Sequence, residues 1–192
     1  MLLGEQIAVA GNWFYISFVE NYGMAFGMEF GGDLGKVILT IFRIIVVTAM
    51  IIYLFKTIRK QKVHSGILTS FSMIIAGAIG NIIDSVFYGV WFNESTPFDK
   101  ALFMPPGGGY ASLFHGRVVD MFYFPIIRTT LPEWMPFWGG EFFEFFRPVF
   151  NIADAAISVG FITILLFQKT FFAFHSDDNE SAKADSENHP LA

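Results

Sequence analysis

Three long apolar stretches dominate the pattern of hydrophobic and polar positions along the chain. They run from about 37 to 55, from 66 to 88 and from 149 to 174. Each is close to the roughly 20 residues that an α-helix needs to cross a hydrocarbon core about 30 Å thick. The pattern therefore predicts three membrane-spanning helices.

The residues before the first span follow a different pattern. Phe14, Ile16 and Phe18 recur with a period of two, which is typical of a short β-strand. The glycines at positions 23, 27, 31 and 32 then predict a loop whose backbone can approach another group closely. We expect this strand and loop, within residues 1–36, to lie outside the cytoplasm.

Residues 89–148 form a long segment between the second and third spans. Within it, "GRVVDMFYFPII" predicts β structure. The following stretch, "LPEWMPFWGGEFFEFFRPVF", interleaves aromatic side chains with Glu141 and Glu144. That pattern favours an interfacial helix that lies on the membrane instead of crossing it.

The distribution of basic residues predicts the orientation of the spans. The short loop between the first two spans is dense in basic side chains, namely Lys56, Arg59, Lys60 and Lys62. Cytoplasmic loops carry such an excess, so this loop is placed inside and the segments 1–36 and 89–148 outside. The acidic tail, 175–192, then lies in the cytoplasm and is expected to be disordered.

Composition agrees with a membrane protein. The 192 residues are 54% hydrophobic and 18% aromatic, with a mean hydropathy of +0.52, which is too apolar for an ordinary soluble domain. Because cysteine is absent, disulfides, thiolate metal sites and a cysteine nucleophile are excluded. The expected fold is mainly α, a polytopic membrane helix bundle forming a single membrane domain over residues 1–192. A small β-rich extracytoplasmic element and the interfacial helix complete it.

Polar side chains interrupt the second and third spans at matching intervals. Asn81 and Asp84 lie three residues apart in the second span, and Asn151 and Asp154 repeat that spacing in the third. Each pair therefore projects from one helical face. An ionisable residue within a span is costly and by default marks a functional site. Arg43, near the outer end of the first span, is expected instead to snorkel to the interface.

Two further polar residues, Asn21 and Asp120, lie in the outward segments. On the predicted orientation, they and the intramembrane pairs converge at the outer membrane boundary. Two carboxylates that share a proton can activate a water while protonating the group it attacks, which allows peptide hydrolysis without a metal. The spacing leaves open whether Asp84 or Asp120 would be the partner of Asp154.

The sequence lacks the motifs of other catalytic mechanisms. It has no HExxH pair, and its histidines are scattered over different segments, so no metal site is expected. Ser112 and His115 lie beside a glycine run without a nucleophile elbow, which disfavours a serine mechanism. Neither a phosphate-binding glycine loop nor a basic stripe is present, so we expect no cofactor and no nucleic-acid partner.

Four motifs resemble, in order, those of the prolipoprotein signal peptidases, the type II signal peptidase family. They are "NYGMAFG", "GAIGNIID", "GRVVDMF" and "FNIADAAISVG". The resemblance implies an aspartic endopeptidase of the bacterial cytoplasmic (inner) membrane, a multi-pass protein with its active site at the outer face. It would remove the signal peptide from diacylglyceryl-modified prolipoproteins, so its partners would be this lipidated substrate and membrane lipid. The chain itself would be a monomer.

The resemblance also implies roles for individual residues. In this family the catalytic pair comes from the "VVD" and "FNxAD" motifs, which correspond here to Asp120 and Asp154. The residues that would hold this pair and the substrate backbone are Asn21, Gly23, Asn81, Asp84 and Asn151.

The chain departs from the family pattern in three places. Ser85 stands where the family has an arginine, and Arg117, just before "VVD", is the candidate to replace that arginine in space. Residues 92–113 form an apparent insertion between the second and third motifs. Family members have four spans, and the N-terminal one would precede the strand at Phe14, where this sequence has no room for it.

Two other functions stay open on the residues. A small transport or assembly protein would bind an ion or a partner helix through its intramembrane Asn and Asp side chains, and it would tolerate loss of Asp120 better than loss of Asp84. A noncatalytic relative would bind lipidated peptides without cleaving them, in keeping with Ser85 and the absent span.

Overall fold

A computed structural model of the protein describes residues 1–23, 31–60 and 63–188. The helices are α1 (Gly32–Lys60), α2 (Ser65–Trp91) and α3 (Ile152–Asn188). The strands are β1 (Gln6–Ala10), β2 (Phe14–Asn21), β3 (Val118–Tyr123), β4 (Ile127–Thr130), β5 (Phe142–Phe145) and β6 (Val149–Phe150). The chain divides into a first unit, Met1–Ile41 with Asn81–Ile152, and a second unit, Phe42–Gly80 with Ala153–Ala192.

The prediction of three spanning helices is confirmed. Within the described ranges, the helical segments Gly32–Arg59, Ser65–Trp91 and Ile152–Thr170 are long and apolar enough to cross a membrane. Helices α1 and α2 begin before and end after their apolar stretches, whereas α3 begins at Ile152 and continues past the end of its stretch. At the start of α2, the Gly66 amide donates to His64 Nδ1 at 3.0 Å, which satisfies a donor that would otherwise lack a helical acceptor.

The first unit contains all six strands found in the described parts of the chain. Four of them form a sheet in the order β1-β2-β3-β6, and β4 pairs with β5 in a separate antiparallel hairpin. The strand predicted at Phe14 is confirmed as β2. The expectation of a mainly α protein is only partly right, because β structure extends well beyond one small element.

The segment 92–117 packs against the C-terminal end of α2 within the first unit. Its backbone amides donate to α2 carbonyls: Gly116 to Ser85 (2.9 Å), Phe114 to Val86 (3.1 Å), Ala111 to Gly89 (2.9 Å) and Met104 to Trp91 (2.7 Å). The last four carbonyls of a helix lack intrahelical donors, so the bonds to Gly89 and Trp91 cap α2, and those to Ser85 and Val86 hold the segment along its final turns. The insertion predicted at 92–113 thus contributes the cap of this helix.

Glycines bring two helices into close contact in the second unit. A Cβ at Gly77 of α2 would overlap the carbonyl oxygen of Ala153 in α3. A Cβ at Gly160 of α3 would lie 2.6 Å from the carbonyl oxygen of Ser70. Small residues that allow such backbone approach are a common way for membrane helices to pack.

The interfacial helix predicted for 131–150 is wrong. Phe142–Phe145 forms β5 and pairs with β4, with Thr129 opposite Phe143 and Arg128 opposite Glu144. The residues between the two strands are turns, without helix. Prolines at 132 and 136 and the Gly139–Gly140 pair interrupt helical hydrogen bonding, so the aromatic pattern is satisfied by a hairpin.

The C-terminal tail also differs from the expectation of disorder. Helix α3 continues to Asn188, through most of the acidic segment that begins at 175. Extending a helix that already exists adds one hydrogen bond per residue and avoids a new nucleation step. The alanine, lysine and glutamate residues of this segment are also good helix formers.

Candidate active site

A β-bulge determines which side chains face Asp120. Ile16 of β2 pairs with Phe122 of β3, but beyond a register shift Val19 pairs with Asp120 and Asn21 with Val118. A shift of one residue moves every later side chain to the opposite face of its strand. The bulge therefore places Asn21 on the same face as Asp120.

The Asp120 carboxylate is held by two asparagine amides. Asn21 Nδ2 donates a short hydrogen bond to one carboxylate oxygen, and Asn151 Nδ2 donates to the other at 2.9 Å. Asp120 is only 5% exposed. A carboxylate removed from water is tolerated when charge-assisted hydrogen bonds replace its hydration, and these two bonds also determine the directions of its oxygens.

Asn151 lies where strand β6 meets helix α3. Strand β6 pairs with the end of β3, opposite Phe122 and Tyr123, and α3 begins at Ile152. The Asn151 amide also lies 3.2 Å from Asn81 Oδ1, so it donates toward both Asn81 and Asp120. Asn81 is itself buried on α2. Three of the predicted supporting residues, Asn21, Asn81 and Asn151, are therefore brought together with Asp120.

Gly23 contributes through its backbone. Its amide donates a short hydrogen bond to Asn21 Oδ1, while the amide nitrogen of the same side chain donates to Asp120. Gly23 has a φ of 90°, a conformation that favours glycine. The rest of the predicted glycine loop, at 24–30, lies outside the described residues.

Asp84 is placed on α2 with different partners. The hydroxyl of Tyr88, one turn further along the helix, makes a side-chain hydrogen bond with it. Its backbone carbonyl is approached so closely by Gly116 that a Cβ there would overlap it. Asp84 thus lies where α2 meets the chain leading into β3.

Ser85 and Arg117, the two residues at the departure from the family pattern, do different things. The Ser85 hydroxyl donates to the Asn81 carbonyl at 2.8 Å, within its own helix. Arg117 donates to Glu20 at 3.0 Å and to Glu94 at 3.3 Å. Arg117 thus contacts two glutamates, of which Glu20 lies on the strand face opposite Asp120, since the same bulge pairs Glu20 with Val119.

Several residues around Arg117 were not anticipated from the sequence. Its guanidinium lies over the Tyr22 and Tyr110 rings, at 5.7 and 5.1 Å from their centroids. Lys36 Nζ also lies over the Tyr22 ring, at 4.6 Å from its centroid. The buried Lys36 also donates to the His115 carbonyl at 3.0 Å. A lysine at the start of an apolar span was the available signal, because lysine is rarely buried without partners.

The charges of this cluster change two pKa values. Burial alone would lower the pKa of Arg117, but the hydrogen bond and charge of Glu20 outweigh it and raise that pKa above its ordinary value. Burial raises the pKa of Tyr110, with the charges of Glu20 and Asp84 acting in the same direction against the hydrogen bond from the Arg117 amide. Arg117 therefore stays cationic and the Tyr110 hydroxyl stays neutral near neutral pH.

Asp154 belongs to the second unit. It lies in the first turn of α3, where the helix dipole favours a negative charge. Within the same unit, its carboxylate interacts electrostatically with the half-buried Arg43 of α1. Arg43 therefore has a charged partner in the protein, which the snorkelling expectation did not include.

The described residues contain no group of three or more His, Asp or Glu side chains that would hold a metal ion. What the first unit does provide is one carboxylate, Asp120, with its oxygens oriented by neutral amides. A carboxylate held in this way is suited to accept or donate a proton at a defined position.

Comparison with known proteins gives the arrangement a context. Residues 1–171 match the family described as signal peptidase (SPase) II. A lipoprotein signal peptidase of Porphyromonas gingivalis is 54% identical over 166 residues, which cover 86% of this chain and 71% of that protein. One from Amoebophilus asiaticus is 40% identical over 161 residues, 84% of this chain and 64% of that protein.

Solved structures support the fold. Two bacterial membrane enzymes determined by the in meso method align with TM-scores of 0.52 and 0.51, at 23% and 25% sequence identity. The first alignment covers 88% of this chain and 74% of the other, and the second 86% and 76%. The family match extends over nearly the whole chain and contains every residue around Asp120, so this multi-pass membrane protein belongs to the signal peptidase II family.

Proposed function

We propose that the protein is an aspartic endopeptidase that cleaves the signal peptide from diacylglyceryl-modified prolipoproteins at the outer face of the bacterial inner membrane. Membership of the signal peptidase II family and the relatives named lipoprotein signal peptidase support this function. The observation that carries the mechanism is the buried Asp120 carboxylate, oriented by Asn21 and Asn151.

In the proposed mechanism, Asp120 and Asp154 act as a pair on one water molecule. One carboxylate accepts a proton from the water as its oxygen bonds to the carbonyl carbon of the scissile peptide. The other, protonated at the start, supplies a proton to the leaving nitrogen as the carbon–nitrogen bond breaks. A pair of carboxylates that shares a single proton can meet both demands at the same pH.

The neutral amides have a separate role in this proposal. Asn21 and Asn151 hold Asp120 in one orientation, so its reorganisation during proton transfer is small. Asn81 acts through Asn151, because its Oδ1 accepts a hydrogen bond from the Asn151 side-chain amide. The substrate would approach within the membrane, with its apolar signal helix against the spanning helices.

Separate replacement of the two carboxylates tests the mechanism. We expect Asp120→Asn and Asp154→Asn each to abolish cleavage of a lipidated precursor, because an amide can neither accept the proton from water nor return it. The assay follows conversion of a diacylglyceryl-modified precursor by the purified full chain in detergent micelles.

Asp99→Asn is the matched control, since Asp99 is an exposed carboxylate in the 92–113 segment and should leave turnover unchanged. Turnover retained by either the Asp120 or the Asp154 variant would remove the proposed pair. Binding of the precursor without cleavage by the unmodified chain would instead identify a noncatalytic relative.

A further inference from the structure

The β4–β5 hairpin of the first unit exposes an unusual amount of aromatic surface at its tip. The tip residues Trp134, Phe137 and Trp138 are 79%, 93% and 59% exposed. We call these three side chains the aromatic tip. Folded proteins rarely leave large apolar rings grouped in water, and such groups commonly mark a surface that meets a partner or a membrane.

The base of the hairpin is fixed to the four-stranded sheet. Tyr123 of β3 donates a short hydrogen bond to Glu144 of β5, and Arg128 of β4 donates to the Tyr123 hydroxyl at 2.8 Å. Arg128 also forms an ion pair with Glu144 at 3.5 Å and lies over the Tyr15 ring at 5.3 Å. The base of the hairpin is therefore held against the four-stranded sheet.

The turn that presents the aromatic tip is itself well hydrogen-bonded. Leu131 donates to Glu141 at 2.9 Å, Gly140 donates to Leu131 at 3.0 Å, and Gly139 donates to Met135 at 3.1 Å. Phe137 has a φ of 74°, a left-handed conformation that is unfavourable for an aromatic residue. Such strain persists only where the surrounding structure enforces it, and it commonly accompanies a functional role.

The surroundings of the hairpin favour the bilayer surface as the partner of the aromatic tip. Strand β5 ends at Phe145 and the spanning helix α3 begins at Ile152, so the connecting chain spans at most about 25 Å. Along this connection, the Phe146 ring meets the Phe150 ring edge to face, and the Phe150 ring stacks on that of Phe124. The aromatic surface is thus continuous, along the chain, with a segment that crosses the membrane.

The chemistry of the aromatic tip fits the same occupant. Tryptophan is enriched at membrane interfaces because its ring is apolar and its N–H is polar. The nearest charged side chains in the turn, Glu133 and Glu141, are acidic, so attraction to anionic lipids cannot drive the contact. Insertion would depend on the rings alone and would occur in uncharged lipid.

We propose that the aromatic tip inserts into the boundary between headgroups and acyl chains of the bilayer and so anchors the extracytoplasmic sheet to the membrane surface. The contact holds the sheet that carries Asp120 at a defined height above the lipid. Anchoring through the hairpin does not depend on peptidase activity.

Tryptophan fluorescence of the full chain in phosphatidylcholine vesicles tests the proposal. The chain has four tryptophans, so Trp13→Phe, Trp91→Phe and Trp134→Phe together leave Trp138 as the reporter. We expect blue-shifted emission, weak quenching by acrylamide in the water, and loss of intensity with lipids brominated near the headgroup. Lipids brominated near the chain ends should quench less.

A second tryptophan reporter controls for a local change in structure caused by the substitutions. The variant that keeps Trp134 and changes the other three tryptophans to phenylalanine should show the same pattern. Efficient acrylamide quenching with no effect of brominated lipid in both variants would overturn the proposal. Protection from both quenchers would overturn it as well, because the rings would then be covered by protein and not by lipid.

Discussion

At the scale of single residues, the main feature of this protein is a buried carboxylate whose partners are uncharged. Asp120 receives hydrogen bonds from Asn21 and Asn151, and Asn151 is in turn directed by Asn81. Amides orient a carboxylate without adding a cation that would hold it permanently in the charged form. Such an environment suits the proton transfer proposed for Asp120.

The first prediction concerns these amides. We expect Asn151→Ala and Asn21→Ala each to lower kcat by about 10- to 100-fold, because a hydrogen bond to a charged group contributes roughly 1.5–3 kcal/mol. KM should change less, since the lost contact is to Asp120 and not to the substrate. Steady-state cleavage of a lipidated precursor gives both values.

Asn93→Ala is the matched control for these variants. Asn93 also makes a hydrogen bond through its side chain, accepting from the Leu102 amide at 2.5 Å, but it lies in the segment that caps α2. Its loss should leave kcat close to the original value. An Asn151 variant with unchanged kcat would show that the amide has no part in orienting the carboxylate.

At the scale of elements, the segment 92–117 has a clear mechanical role. It caps the C-terminal turns of α2 and leads directly into β3, the strand that carries Asp120. Glycines allow this contact, since a Cβ at Gly109 would overlap the carbonyl oxygens of Gly89 and Val90. The insertion therefore couples the end of a spanning helix to the strand of the candidate site.

Two neighbouring glycines test that coupling. Gly109→Ala should destabilise the protein by about 1–3 kcal/mol, as overpacking against backbone does, and should lower Tm in detergent measured by intrinsic fluorescence. Gly107→Ala is its control, because a Cβ at Gly107 meets nothing within 4 Å. Equal Tm values for the two variants would contradict the close packing of this segment on α2.

At the scale of the whole molecule, the distribution of charge predicts how the chain crosses the membrane. The loop between α1 and α2 is rich in lysine and arginine, whereas the segments that contain the sheets are not. The positive-inside bias then places the sheets and Asp120 outside the cytoplasm. The proposed function requires this orientation, because exported precursors present their cleavage site outside the cytoplasm.

The absence of cysteine makes this topology simple to measure. Lys100→Cys and Lys62→Cys each introduce a single thiol, one in the segment after α2 and one in the short basic loop. In intact cells, a membrane-impermeant maleimide should label the thiol at position 100 and should label the thiol at position 62 only after the membrane is permeabilised. The reverse pattern would invert the orientation and exclude an outward-facing site.

The amino-acid sequence by itself determined the three spanning helices, the strand at Phe14 and the family, because these depend on local apolar length, on period-two alternation and on short motifs. The tertiary structure alone decided that Asn21 faces Asp120 while Glu20 faces Arg117, since a bulge between Ile16 and Val19 of β2 sets that register. It also decided that the aromatic stretch around Phe142 becomes a hairpin. Strand pairing joins residues that are distant along the chain, and the local sequence pattern does not identify which residues pair.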